Sequence, residues 1–352
     1  MKKSRGIKIV IAIVTVILIA AGAGFIFLKS KLAKINRVKP EDDTCISRDQ
    51  ETFEADVISQ IASNGDAEET TAQDTMNPED VVWDNVDMNV MKDKDVKNIL
   101  LIGQDRRPGQ GRQRSDSLII CSINKKTGKI TLCSLMRDMY VPIPGYSDNR
   151  INAAYVFGGM PLIDQLIEED FGIHIDGNIE VDFDGFVNAM SVVGPLDIEL
   201  KDYEVDYMNN SSWSHSSGFD VDSWNLHEGV NSLTPDQALV YARTRYVGNS
   251  DWERTDRQRT VITAAFNKIK DKDLFELMEI ADEILPCLTT DMTDSELLGY
   301  VYTIATSKME MGESFRFPAE GTYSNQTIRG MMVLVPNLSA NATELKKDIY
   351  GE

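Results

Sequence analysis

Lys97-Asn-Ile-Leu-Leu-Ile-Gly103 is the stretch that decides the fold of this 352-residue chain. Its uninterrupted apolar run predicts a strand that is buried on both faces, as in the middle of a sheet covered by helices. From this strand to the carboxyl terminus the chain runs for about 255 residues, which is enough for one large domain.

The rest of that region mixes strand and helix patterns. Strands are predicted at 97–103, 117–124, 129–135, 178–182 and 196–200. Helices are predicted at 150–157, 160–170, 184–193, 235–244, 254–270, 273–285 and 294–307. Thr234-Pro-Asp-Gln237 is a helix start, with Thr as the cap and Pro in the first turn. The sequence therefore predicts an α/β domain (an α+β sandwich) over 96–350. It has a central mixed β-sheet flanked by helices and a polar insertion at about 203–224.

The amino-terminal part has a different composition. Ile9 to Leu28 is a run of 20 residues without charge, long enough to cross the ~30 Å hydrocarbon core of a bilayer. Basic residues precede it, which favours a cytoplasmic amino terminus, but five more basic residues follow it, so local charge alone does not fix the orientation. A cleaved signal peptide is the alternative, although the run exceeds the ~7–15 residues of an ordinary signal core. We expect a short cytoplasmic segment over 1–8, a separate transmembrane helix over 9–28 and a polar, acidic extracellular tether over 29–95.

The charge of the body excludes one class of partner. All 56 acidic residues follow position 40, whereas nine of the 36 basic residues precede it, so the remainder carries a net charge of 27 minus 56, or −29. Such a body repels nucleic acid and anionic lipid headgroups. We therefore expect no nucleic-acid partner.

Arginines nevertheless recur in short motifs within this acidic body. The motifs are Arg114-Ser-Asp116, Arg137-Asp138, Arg243-Thr-Arg245 and Asp251-Trp-Glu-Arg254-Thr-Asp-Arg257-Gln258. Guanidinium groups bind phosphate bidentately and stay charged at any working pH. If the motifs converge, they form an anion site; otherwise they are solvated faces with internal ion pairs.

Spacing adds detail to two of these motifs. Arg243 and Arg245 are two residues apart, so both can serve one site only if the helix ends there. Arg257 and Gln258 lie three and four residues after Arg254, which predicts that one helical face carries all three.

The first strand is followed by a glycine-rich basic loop, with Asp105 and Asp116 at the two strand edges that flank it. Hard carboxylate oxygens of this kind suit Mg²⁺, which takes one or two carboxylates together with phosphate oxygens and water. A solvated loop whose charges pair with one another is the alternative.

Two cysteines lie on a predicted hairpin. A register that pairs residue 124 with 130 places Cys121 opposite Cys133. Two small buried residues on one sheet face, or a disulfide formed in an oxidising exterior, are both compatible with that register.

Taken in order, these segments resemble the LytR–CpsA–Psr family of cell-envelope glycopolymer transferases. The resemblance covers about 97–270. It rests on Asn98-Ile-Leu-Leu-Ile-Gly-Gln-Asp105, Arg114-Ser-Asp116, Leu135-Met-Arg-Asp138, Ile151-Asn-Ala-Ala-Tyr155, Gln237 to Arg245 and Asp251 to Gln258. Met136 departs from the Pro that is usual in the family, and Arg150 from a frequent Lys.

The resemblance implies a function. Enzymes of this family transfer a phosphate-linked glycopolymer (teichoic acid, capsular or other wall polysaccharide) from polyprenyl pyrophosphate to a muramic-acid hydroxyl of peptidoglycan. This happens on the outer face of the cytoplasmic membrane of a Gram-positive-type envelope, and the polyprenyl tail is expected between sheet and helices. A non-catalytic receptor for the lipid-linked glycan, or a hydrolase that releases the polymer, is the alternative; the acidic body and the span disfavour a transcription regulator.

The resemblance also assigns residues. Asp105 and Asp116 would hold Mg²⁺. The residues that would surround the pyrophosphate are Arg114, Arg137, Arg243, Arg245, Asp251, Arg254 and Gln258.

Overall fold

The buried run that decides the fold forms a nine-residue strand, Val96–Gln104, in the middle of a sheet. The computed structural model describes residues 33, 35–38, 73–84, 89–104, 106, 112–245, 247–248 and 251–351. The predicted transmembrane segment 9–28 lies outside these residues. Within them, no helix combines the length and the hydropathy that a bilayer crossing requires.

The strands of the described residues are β1 (Asn36–Arg37), β2 (Val96–Gln104), β3 (Ser115–Asn124), β4 (Lys129–Leu135), β5 (Tyr140–Val141), β6 (Asn149–Arg150), β7 (Gly177–Val181), β8 (Leu196–Leu200), β9 (Gly229–Leu233), β10 (Thr289–Thr290), β11 (Glu310–Phe317), β12 (Tyr323–Ile328) and β13 (Met331–Pro336). The α-helices are α1 (Ile151–Phe171), α2 (Phe183–Val193), α3 (Asp202–Asn210), α4 (Ser212–His215), α5 (Pro235–Arg243), α6 (Asp251–Ile269), α7 (Leu274–Ile284), α8 (Asp294–Thr306) and α9 (Leu338–Tyr350). Short 3-10 helices lie at Pro78–Asp80, Val221–Ser223 and Leu285–Cys287.

The main sheet is mixed, as the sequence predicts. Its seven strands run in the order β1-β10-β7-β2-β3-β4-β11. The β2, β3 and β4 strands form an antiparallel meander, whereas β7 pairs with β2 and β11 with β4 in parallel. Separate two-stranded sheets pair β5 with β6, β8 with β9 and β12 with β13.

Helices cover both faces of this sheet. On one face, α1 and α9 pack on strand residues such as Leu100, Leu118 and Leu135. On the other face, α6 and α8 pack on residues such as Ile99 and Ile123. A third apolar cluster joins β8 and β9 to α2, α5 and α6. Helix α6 thus links the sheet to the β8–β9 hairpin, and this link positions its first turn.

The observed boundaries of the predicted elements lie within one or two residues of the predicted ones. The start of α6 differs, because it lies three residues earlier than predicted. Helices 150–157 and 160–170 are one exception, because they are two arms of α1, joined at Gly159 with φ 66°. The capping box at Thr234 forms as predicted, with the Thr234 amide donating to Gln237 Oε1 at 2.9 Å.

The predicted hairpin register is wrong. Asn124 pairs with Lys129, so Cys121 lies opposite Leu132 and Cys133 opposite Ile120. The turn closes one residue earlier because the Gly128 amide, at φ 68°, donates to the Asn124 carbonyl at 2.9 Å. The two thiols therefore point to opposite faces of the sheet, and both are free.

Parts of the segments expected to be a loose tether and a surface insertion pack on the domain. Strand β1 extends the sheet edge beside β10, and Trp83 donates to Asp148 Oδ2 at 2.7 Å. The insertion contains α3 and α4, and α3 buries Glu204 and Met208. These described parts belong to the folded unit.

One buried acid stands out in α1. Asp170 is 6% exposed, and its Oδ2 has no hydrogen-bond partner among the described residues. Burial raises the pKa of Asp170 to about 8. The carboxyl group is therefore largely protonated in the folded protein at neutral pH.

Candidate active site

Arg137 and Asp116 meet at one edge of the main sheet. Because β3 runs antiparallel to β4, the beginning of β3 lies beside the end of β4, with Leu118 paired to Leu135. Asp116 is the second residue of β3, and Arg137 follows β4 by two residues. Arg137 Nη1 donates to Asp116 Oδ1 at 2.9 Å. The hairpin therefore joins two of the sequence motifs directly.

Asp251, the first residue of α6, gathers three arginines around one carboxylate. Its Oδ1 accepts from Arg245 Nε at 2.9 Å and lies 3.1 Å from Arg254 Nε. Its Oδ2 accepts from Arg137 Nε at 3.3 Å. Arginines from three segments, one of them more than 100 residues before the other two, therefore converge on a common point.

Helix α6 is fixed to β3 by two further contacts. Arg254 Nη1 donates to the main-chain oxygen of Asp116 at 3.0 Å, and Arg254 is only 5% exposed. One turn later, Gln258 Oε1 accepts from the Ser117 hydroxyl at 3.0 Å. These bonds hold the arginines of α6 against the sheet edge that carries Asp116.

Two neighbouring carboxyl groups differ in their proton affinity. Burial would raise the pKa of Asp251, but the charges of the three arginines outweigh it and hold that pKa well below its ordinary range. Burial raises the pKa of Asp138, against the opposing charges of Arg137 and Arg150. The pKa values of these neighbouring carboxyl groups are thus shifted in opposite directions, so Asp251 loses its proton before Asp138 does.

This arrangement leaves an excess of positive charge. Among the described residues, four guanidinium groups (Arg137, Arg150, Arg245 and Arg254) face three carboxyl groups (Asp116, Asp138 and Asp251) at the sheet edge. Arginines held in fixed positions with incomplete charge compensation attract multivalent anions such as phosphate. The site is therefore suited to a pyrophosphate-sized anion.

Arg243 and Arg114, two other residues assigned from the sequence, have separate positions. Helix α5 ends at Arg243, whose guanidinium carbon lies 3.9 Å above the centre of the Phe183 ring. The two-residue spacing thus directs Arg243 to α2 and Arg245 to Asp251. Arg114 is half-buried directly before β3.

The prediction that Arg254, Arg257 and Gln258 share one face is wrong for Arg257. Its Nε donates to Glu204 Oε1 at 2.6 Å, in the packing layer between α6 and α3. A three-residue step rotates a helix position by about 300°, which is enough to turn a side chain towards a neighbouring element.

Magnesium fits part of the site. Asp105 lies outside the described residues. Asp116 is a hard oxygen donor whose side chain is 34% exposed, and only its Oδ1 is engaged by Arg137. Across the described part of the chain, no group of three or more His, Cys, Asp or Glu side chains could hold a metal ion by itself. Asp116 therefore suits a cation that takes most of its ligands from a bound phosphate and water.

Sequence reasoning missed the aromatic residues beside the cluster. Trp252, the second residue of α6, lies 5.3 Å from the Tyr323 ring centre to centre. The Arg316 guanidinium carbon lies 4.2 Å above the same indole. Tyr323 and Arg316 come from β12 and β11, beyond the stretch in which the motifs occur, so no local pattern connects them with the site.

Comparison with known proteins identifies the family. Residues 57–347 match the LytR_cpsA_psr family, so the chain belongs to it. Over 223 residues it is 34% identical to a protein of Oceanobacillus iheyensis named polyisoprenyl-teichoic acid–peptidoglycan teichoic acid transferase TagU. That match covers 61% of this chain and 64% of the relative, so less than two thirds of the relative is spanned.

Solved structures share the fold. The crystal structure of B. subtilis TagV is 26% identical, with a TM-score of 0.58, and the match covers 73% of this chain and 98% of TagV. The family protein YwtF (TagT) with bound octaprenyl pyrophosphate lipid is 21% identical, with a TM-score of 0.56 over 75% of this chain and 96% of that one. At 21% identity this second likeness shows the fold alone.

Proposed function

We propose that this protein transfers a phosphate-linked wall glycopolymer from a polyprenyl pyrophosphate to a muramic-acid hydroxyl of peptidoglycan. The observation that carries the proposal is the convergence of Arg137, Arg245 and Arg254 on one sheet edge. The name of the TagU relative supports the class of substrate.

An apolar layer beside the arginines is where the polyprenyl tail would bind. Ser117, Ile119 and Cys121 share one face of β3 because side chains alternate along a strand. Ser117 contacts Gln258 in the site, and Cys121 is half-buried in the layer between sheet and helices. Along the strand, Cys121 lies about 13 Å from Ser117, at ~3.3 Å per residue. Other half-buried apolar residues of this layer are Leu101, Ile179, Phe266, Leu298 and Ile304.

The chemistry requires little beyond positioning and neutralisation of charge. The acceptor oxygen forms a bond to the phosphorus nearer the sugar, and the bond from that phosphorus to the bridging oxygen breaks. Polyprenyl phosphate leaves, and the proton of the acceptor hydroxyl passes to a carboxylate. Among the described residues, Asp116 is the candidate for this proton acceptor. Arg137, Arg245 and Arg254 stabilise the charge that develops on the phosphate oxygens.

Magnesium belongs to the same proposal. Asp116, together with Asp105, would hold the ion, which when bound would neutralise phosphate charge. Measuring transfer in a chelator and after adding back Mg²⁺ tests this separately from the arginines.

We also propose that Ile9 to Leu28 anchors the protein in the cytoplasmic membrane, with 1–8 inside and the domain outside. The support is the length of the uncharged run and the basic residues before it. Protease added to intact protoplasts should digest the domain; full protection would contradict this orientation.

The deciding experiment uses the full chain in detergent micelles with a synthetic polyprenyl-pyrophosphate glycan and peptidoglycan oligomers. Mass spectrometry should find glycan joined through one phosphate to the peptidoglycan oligomer, together with polyprenyl phosphate. Free glycan phosphate without the joined product would indicate a hydrolase instead. Donor binding without turnover would indicate a receptor.

A further inference from the structure

Arg257 connects the active-site helix to the insertion. Its Nε donates to Glu204 Oε1 at 2.6 Å, and the two side chains are only 2% and 3% exposed. Glu204 lies in α3, the first helix of the segment that the sequence marks as an insertion. A buried ion pair therefore joins this segment to the helix that carries Asp251 and Arg254.

The remaining nitrogens of Arg257 hold two more segments. Nη1 donates to the main-chain oxygen of Thr244 at 2.9 Å, and Nη2 donates to Glu253 Oε2 at 2.8 Å. Thr244 caps the carboxyl end of α5, where carbonyl groups lack partners within the helix. It directly precedes Arg245. One buried guanidinium thus fixes the backbone next to a site arginine, the first turn of α6 and helix α3.

Glu204 and its neighbour make the connection rigid on the α3 side. The second carboxylate oxygen of Glu204 accepts from the Lys201 amide at 3.0 Å and so caps α3. The Tyr203 hydroxyl donates to Glu253 Oε2 at 2.8 Å, on the same oxygen that Arg257 contacts. A shift of α3 would therefore move the partners of Arg257.

We propose that Glu204 and Arg257 are positioning residues for Arg245, through which the insertion (202–224) sets the place of one guanidinium of the site. The inference rests on the proposed function for the role of Arg245. Arg245 directly follows Thr244, the cap residue of α5, so the hydrogen bond from Arg257 to the Thr244 main-chain oxygen constrains the backbone that carries Arg245. A polymer or acceptor that displaces α3 would change the rate of transfer through this path.

Glu204→Gln keeps the size of the side chain and removes its charge. Because a misplacement of about 1 Å can cost up to ~10²-fold in rate, we expect kcat to fall roughly tenfold, with the donor KM within about twofold of wild type. Asp206→Asn is the matched control: it makes the same carboxyl-to-amide change on the exposed side of α3, where Asp206 accepts from Asn210 at 2.9 Å. It should leave kcat unchanged.

A double-mutant cycle separates positioning from general loss of structure. If Glu204 acts through Arg245, Glu204→Gln should change kcat by less than about twofold in an Arg245→Ala background. Equal loss in both backgrounds would overturn the inference. Wild-type protein that transfers no polymer would instead count against the proposed function. The same cycle is then judged on the Kd for inorganic pyrophosphate, which lacks the lipid and glycan contacts of the donor, and Glu204→Gln should raise this Kd only when Arg245 is present.

Arg257→Lys covers the case in which Glu204→Gln does not fold. A lysine ammonium retains the charge but cannot hold Glu204, Thr244 and Glu253 in the same fork geometry. A folded Arg257→Lys protein with the kcat and pyrophosphate Kd of wild type would refute the positioning role.

Discussion

Replacing Asp251 by Asn tests whether the arginine cluster is an anion site. The substitution keeps the shape of a side chain that accepts from Arg245 and Arg137 and lies 3.1 Å from Arg254 Nε. It removes the only charge that all three share. Because leaving buried charges without their partner costs about 3–5 kcal/mol, we expect the free energy of unfolding to fall by about 3 kcal/mol.

Inorganic pyrophosphate should reverse much of this loss. In the wild-type protein the Asp251 carboxylate competes with a bound anion, whereas in the variant the anion replaces the lost charge. We expect pyrophosphate to bind the variant about tenfold more tightly, which corresponds to about 1.4 kcal/mol more stabilisation at saturation. Kcat should nevertheless fall, because the arginines lose their fixed positions.

Urea unfolding with and without saturating pyrophosphate measures both effects. Asp271→Asn, at an exposed position between α6 and α7, is the control. The folded-state pKa of Asp251 is lowered, so its stabilising effect is complete above about pH 5 and is lost only as the pH falls through that lowered pKa. A variant with wild-type stability, or with the same gain from pyrophosphate as wild type, would refute this interpretation of the cluster.

Three other expectations concern separate parts of the molecule. Burial raises the pKa of Asp170 to about 8, so the free energy of unfolding of wild type should fall by up to ~1.4 kcal/mol per pH unit as the pH rises from the ordinary pKa of an aspartate to pH 8. Asp170→Asn should remove this slope. Urea-unfolding profiles of wild type and variant that run parallel from pH 5 to 8 would contradict the expectation. Arg245→Ala should lower the rate of transfer at least ~10²-fold in the mass-spectrometric assay. The control Arg329→Ala, on an exposed turn, should leave this rate unchanged. Near-normal transfer by Arg245→Ala would exclude a role of Arg245 in charge stabilisation. Because Cys121 and Cys133 face opposite sides of the sheet, reducing agent should shift the Tm by less than about 1 °C, and a fall of several degrees would indicate a disulfide.

The sequence predicts the centre of the fold because its signals there are local. The buried run of β2, the alternation along β4 and the capping box of α5 each depend on residues within one element. Strands β11 to β13 were not predicted. The β11 strand is half-exposed and pairs in parallel with β4, about 180 residues earlier in the chain, so its stability comes from a distant partner.

The same distinction applies to the site. The order of the motifs predicts that Arg137, Arg245 and Arg254 are site residues, and the structure places all three around Asp251. The direction of Arg257 could not be predicted, because its partner Glu204 is 53 residues away in a segment that reads as a polar insertion. The hairpin register failed for a subtler reason: a turn shorter by one residue exchanges the faces on which side chains lie.

The opposite signs of the body and the site explain how such a protein can bind an anion selectively. Beyond residue 40 the chain carries −29, so within about one Debye length of its surface (~8 Å at physiological ionic strength) it repels phosphate, nucleic acid and anionic lipid alike. Attraction begins only where the buried guanidinium groups of Arg137, Arg245 and Arg254 are within contact distance. When no anion is bound, the Asp251 carboxylate holds these guanidinium groups together. The same carboxylate competes with an incoming anion for them. A donor held in the same membrane would offset this repulsion through its high local concentration, whereas a free anion of the same charge has to be supplied at a higher bulk concentration to occupy the site.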